Sequence, residues 1–312
     1  MEMKWELWRN CLSGKDENSI WHTTVQMTWD TAMFRFLWES WNISKQKNPN
    51  QPKINHYIYE FILRGYFTTM SAAIRRLIDD YDLRGVKGVF SLTAILKDIG
   101  KNREYLTRKK YFQLRNLPYD TEVVEKSEQE WLLSHRMWVE EDLPIPVEID
   151  SMPSKNGHSY FDRLSNKTIM NRSPDDIIDE RVIDVLKAKL STCNDVKVYV
   201  KKFIAHAATP DSREKINIEQ YGISLKNIWN AQKLLFEVTQ LLAEALFGEH
   251  YLPLMPLSPV AFEFWDVPLL ESEDLPKLIE VYNKFKSETS QWGEGGVNQL
   301  WQDIHERLQT GI

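Results

Sequence analysis

Apolar side chains recur every three or four positions along much of this chain, the spacing of helices that bury one face. Over 28–41 that face carries Met33, Phe36, Leu37 and Trp41, after which Asn48-Pro49-Asn50-Gln51-Pro52 breaks the pattern. A longer helix is predicted over 54–81, with Tyr57, Phe61, Tyr66, Met70, Ile74, Leu77 and Ile78 available for burial and Asp79, Asp80 and Gly85 closing it. Ser91 is placed to cap a helix through Ile99, with Gly100 as its stop.

Between Asp120 and Asp150 ten acids face only Lys126 and Arg136, which reads as a solvated helix face and loop. Leu143-Pro144-Ile145-Pro146 and the polar stretch through Ser173 read as irregular, a lid or an ordered connector. Ser173-Pro174-Asp175-Asp176 then has the form of a helix start, a capping hydroxyl followed by proline and two acids, and predicts a helix to Leu190. Ser191 or Asn194 opens the next helix, which stops before Pro210. The spacing predicts further helices over 224–247, ended by Gly248, and over 275–291 and 297–308.

The expected fold class is therefore all-α. The expected organisation is a Trp-rich N-terminal helical region over 1–52, a helical bundle over 53–250 with an irregular acidic insertion near 118–173, and a C-terminal helical extension over 251–312. Twelve tryptophans sharpen the first boundary, because Trp5, Trp8, Trp21, Trp29, Trp38 and Trp41 crowd the start and call for a packing partner. A net charge of −6 argues against nucleic-acid binding by the whole surface but leaves room for a local basic groove. Two cysteines, Cys11 and Cys193, are too few for a disulfide framework and too isolated for a zinc site. No apolar run approaches the roughly 20 residues that span a bilayer, and the N-terminus lacks the order of a signal peptide, so the chain is expected to be cytoplasmic.

The candidate chemistry lies in 194–207. At helical spacing Val196, Val200, Phe203 and Ala207 share the core-facing arc, and Asp195, Tyr199, Lys202 and His206 form an adjacent stripe. Asp195 is eleven residues from His206, roughly 16 Å along an ideal axis, and cannot touch the imidazole. A histidine can take a proton from a ribose 2′-hydroxyl while a neighbouring cation stabilises a phosphate, which suits RNA cleavage without a metal. The plainer alternative leaves His206 bonded to a helix-end carbonyl and Lys201 and Lys202 in solvent.

Arg64-Gly65-Tyr66-Phe67 through Ile74-Arg75-Arg76-Leu77-Ile78-Asp79, then Ser91-Leu92-Thr93-Ala94-Ile95-Leu96, then Lys202-Phe203-Ile204-Ala205-His206, together resemble the HEPN superfamily, in particular its abortive-infection members. The resemblance covers 57–114 and 175–247. It implies an all-α bundle, a homodimer, RNA as the partner, a role in phage defence or a toxin system with an antitoxin or defence partner, and no cofactor or metal. The family signature is an arginine, four to six residues, and a histidine. His206 fits that histidine, whereas the arginine position is held by Tyr199, Val200 or Lys201. Lys201 keeps the charge without the planar fork of a guanidinium, and Lys202 or Arg213 is the other candidate phosphate stabiliser. Arg75, Arg76 and Asp79 would support the site across the bundle, or tie helices by a salt bridge. The alternative within the same architecture is a noncatalytic interaction or regulatory protein.

The strongest local positive run holds Lys101, Arg103, Arg108, Lys109, Lys110 and Arg115, interleaved with Tyr105, Tyr111 and Phe112. Arg103, Arg108, Lys109 and Lys110 are the candidate RNA contacts, with the rings as stacking platforms. A solvated helix surface is the competing reading. The remaining histidines lack metal-ligand spacing, and Gly293-Glu294-Gly295-Gly296 has neither the strand nor the lysine of a phosphate loop.

Overall fold

A computed structural model describes residues 1–47, 56–135, 150–204 and 223–250, with the isolated positions 276, 279, 280 and 283. The chain divides into two compact units, Met1–Pro256 and Leu257–Ile312. In the second unit the four described positions are helical and exposed. In the first, no strand forms among the described residues, and the single isolated bridge joins Thr107 to Ile177. The architecture is all-α.

Helices α1 (Glu2–Ser13) and α2 (Ile20–Lys47) open the chain. On α1, Trp5, Trp8, Cys11 and Leu12 are buried at helical spacing, and the Trp8 indole Nε1 donates to Asp98 at 2.7 Å. Lys4, one turn earlier on the same face, pairs with the same carboxylate at 2.7 Å. The aromatic N-terminus is therefore part of the bundle core rather than a detachable arm, and its side chains join one buried cluster with those of all the central helices.

Helix α3 (His56–Leu77) packs on α2 and buries Tyr66, Met70, Ile74 and Leu77 as their spacing predicts. Tyr57 and Phe61, expected in the core from the same pattern, are instead 81% and 71% exposed. Helix α4 (Leu92–Asn102) is capped as expected, Ser91 Oγ accepting from the Ala94 N–H at 3.0 Å. It runs on through Gly100, because the Cβ position there opens toward the Ile183 side chain at ordinary contact distance and nothing forces a stop. A 3₁₀ turn leads to α5 (Arg108–Leu114), capped by Thr107, and α6 (Thr121–His135) carries part of the acidic segment.

Two expectations are corrected by the next stretch. The polar region before Ser173 is not irregular throughout: Met152–Ser165 is a helix, α7, with proline in its first turn and Asn166 in the left-handed region at its end. The strong helix signature Ser173-Pro174-Asp175-Asp176 does not start a helix. The Asp176 carboxylate caps the Ser173 N–H at 2.9 Å and takes the Arg108 guanidinium, while Arg108 N–H donates to Asp176 O at 2.7 Å and Lys109 N–H to Pro174 O at 2.9 Å. These bonds hold 173–178 as a turn and bridge along α5, so α8 (Glu180–Ser191) begins later with Asp179 as its cap.

Helix α9 (Asn194–Tyr199) passes into a π-helical turn, Val200–Ile204. Helix α10 (Leu225–Leu242) starts from a capping box in which Ser224 Oγ accepts from Asn227 N–H at 3.2 Å and Asn227 Oδ1 from Ser224 N–H at 3.0 Å. It ends in a second π turn, Ala243–Phe247, and leaves through Gly248 at φ +67°. Arg115 lies over that glycine: a Cβ there would clash with Nη2. The same guanidinium donates to Tyr111 Oη at 2.5 Å, and that hydroxyl donates to Ala245 O at 2.9 Å, joining α5 to the second π turn.

Candidate functional site

The segment expected to carry the chemistry lies against α3. Val196 and Val200 turn inward at helical spacing and anchor it. The regular helix ends at Tyr199, however, and the wider π turn Val200–Ile204 shifts Lys202 out of α-helical register with Tyr199. Tyr199 stacks on Phe203 with centroids 5.0 Å apart and meets Phe67 of α3 edge-on at 5.6 Å, so its ring is packing material. Lys201 is exposed and Lys202 half-buried. His206 and Arg213 lie outside the described residues.

Asp79 lies beside this segment and pairs with a lysine. Lys197 reaches across from α9 to Asp79 at 3.0 Å and to Asp80 at 3.7 Å. Arg75 is half-buried near the end of α3. Arg76 does not join the site: its Nη1 donates to Asn18 at 2.8 Å and its Nη2 to the Thr23 hydroxyl, which ties α3 to the start of α2.

The second candidate cluster separates into unlike parts. Arg108 has no exposed surface and so offers nothing to a phosphate backbone. It pairs with Asp162 at 2.8 Å and Asp176 at 2.9 Å, and it also donates to His158 O and Ser165 Oγ. Arg172 holds the other side of Asp162 at 2.6 Å, so two guanidiniums meet two carboxylates in a closed polar seam. Tyr111 and Phe112, expected as stacking platforms, are core residues, because they lie on the face of α5 turned toward Phe161 and Trp5. Arg103 pairs with Glu180 at 3.2 Å, and Lys110 with Glu2 at 3.4 Å. Lys109 and Tyr105 are exposed. A continuous basic stripe is not what α5 presents.

Neither cysteine is poised for chemistry, since burial pushes both thiols up to about 11. His158 sits under the Arg108 seam with Nε2 at 2.9 Å from Tyr119 O, its ring against Phe112, and Nδ1 buried without a partner. Burial pulls this imidazole below its ordinary pKa, which keeps it neutral. Among the described residues no group of three or more His, Cys, Asp or Glu side chains is arranged to hold a metal ion. No described helix is long and apolar enough to cross a membrane.

Residues that sequence reasoning missed are those whose partners are remote. Asp98 collects Lys4 and Trp8, and Asp162 and Asp176 collect Arg108; the one local clue is that Lys4 and Trp8 stand one helical turn apart. No family model, curated protein or solved structure matches this chain.

Proposed function

We propose that this chain is an RNA-binding helical protein of HEPN type, acting in phage defence or a toxin system, with its site at the π turn Val200–Ile204 and the residues that follow it. The observation that supports this reading is the π turn itself. Such interruptions concentrate at functional sites, and this one stands next to α3 with Lys201 in solvent, directly before the segment that carries His206. In this reading Lys201 and Lys202, with Arg213, attract the phosphate backbone, and His206 is the general base toward a 2′-hydroxyl. No metal or cofactor enters the scheme, and a second copy of the chain is the expected partner.

The second reading, a noncatalytic interaction protein, draws on a separate observation: Tyr57, Ile58 and Phe61 leave an apolar face of α3 largely exposed, at 81%, 54% and 71%. RNA binding and RNA cleavage by the purified full chain, with and without His206→Ala, distinguish the two. The RNA reading expects binding that weakens in Lys201→Glu and cleavage that disappears in His206→Ala. Cleavage that survives the histidine substitution removes His206 from the mechanism, and a chain that binds no RNA leaves the interaction reading.

A further inference from the structure

A cavity of about 690 Å³ opens between α2 and α3, away from the π turn and from the Arg108 seam. Its apolar lining includes Ala72 and Ala73 from α3 and Met27 and Trp29 from α2. Arg76 and His22 line it as well. His22 is fixed through Nδ1, which lies 2.7 Å from Ser19 Oγ and 3.1 Å from Asp16 O, and its Nε2 has no partner among the described residues. Arg76 is unusual in what it lacks. Its two hydrogen-bond partners, Asn18 and Thr23, are neutral, its Nε is buried with no acceptor, and no described carboxylate lies within ion-pair distance. Burial pulls this guanidinium below its ordinary pKa, opposed by the more distant Asp16 carboxylate. A half-buried cation with an unsatisfied donor is costly unless something negative completes it.

We propose that this cavity binds a small organic carboxylate with an apolar body, the carboxylate on the guanidinium of Arg76 and the body over Ala72 and Ala73 against Trp29. The paired N–H groups of a guanidinium match the two oxygens of a carboxylate, and Thr23 gives up one neutral contact in exchange for a charged one. Two acids also line the cavity and set its selectivity. Asp30 accepts from Gln26 at 2.8 Å and stands seven residues beyond Thr23, roughly 10 Å along α2, while Glu17 is exposed. These carboxylates favour a ligand with one negative head over a dianion. The site is independent of the RNA reading, since none of its residues belongs to the π turn.

The test uses the full chain with 3-phenylpropionate as the probe and 3-phenylpropionamide as its neutral counterpart, followed by saturation-transfer NMR at millimolar concentration. Saturable binding of the acid is expected, with the amide weaker by roughly tenfold or more. Arg76→Gln should reduce acid binding to the level of the amide. Ala72→Phe fills the cavity from an exposed position one helical turn before Arg76, keeps the guanidinium, and should block both probes while the circular dichroism spectrum is kept. Equal binding of acid and amide, full acid binding by Arg76→Gln, or no saturable signal from the acid with folded wild-type chain would each overturn the proposal.

Discussion

Arg108 and Arg76 mark two regions that handle the same side chain differently. In the seam between α5, α7 and the turn over 173–178, Arg108 is wholly enclosed and meets two carboxylates, one of them shared with Arg172. Between α2 and α3, Arg76 is half-enclosed and meets only an amide oxygen and a hydroxyl. Charge that is fully answered inside a protein locks the pieces it joins, and here it overrides a strong local helix signal. Charge whose direct partners are neutral, with its nearest carboxylate Asp16 beyond ion-pair distance, leaves an electrostatic demand at the surface of a cavity. The first region is architecture; the second has capacity left over.

The contrast can be broken in order of expected size. Replacing Arg108 by Met should lower unfolding stability by about 3–5 kcal/mol, because the carboxylates of Asp162 and Asp176 remain enclosed, with Asp176 losing its cation altogether. Urea denaturation measures it, and a loss near zero would show that the seam is not what holds 173–178 in place.

Next comes the pH response of the same seam through His158. Its pKa is lowered from 6.5 on folding, so the unfolded chain binds the proton first. Its contribution to stability is complete above pH 6.5 and is lost as pH falls from there through the folded pKa, with a slope of at most about 1.4 kcal/mol per pH unit. His158→Gln should flatten that part of the stability curve. An unchanged slope would assign the acid sensitivity to other groups.

Arg76→Met should shift stability by less than about 1 kcal/mol, since the lost hydrogen bonds are offset by removing a poorly compensated charge. A loss as large as that of Arg108 would erase the distinction between the two regions. The smallest effect is expected for Lys201→Ala, within about 0.5 kcal/mol in thermal or chemical unfolding, because its side chain is in solvent.

Local chemistry made several features of this fold legible from residue order alone. Ser91 and Ser224 act as caps, Gly248 stops the last described helix, and Tyr66, Met70, Ile74 and Leu77 bury at helical intervals, because each depends on neighbours within a turn or two. The misplaced start at Ser173 has the opposite cause: the decisive partner of Asp176 is 68 positions away in sequence. Both π turns were invisible, since a widened turn needs no special residue at its own position. The same holds for the site. Lys197 and Asp79 meet only because α9 crosses the end of α3, and the helical spacing that suggests a chemical role for Tyr199 carries no sign of the two rings, Phe67 and Phe203, that claim it for packing. His206 and Arg213 lie outside the described residues, so their part of the reading stands as a proposal.

The close approach of Arg115 to Gly248 has an evolutionary corollary. A methyl group at 248 would strike the guanidinium, and its backbone angle already disfavours any side chain. A side chain at position 248 therefore pushes the flexible tip of Arg115 aside, and the displaced guanidinium surrenders its grip on Tyr111. Across descendants of this chain, loss of the glycine is expected to relax the hold on arginine at 115.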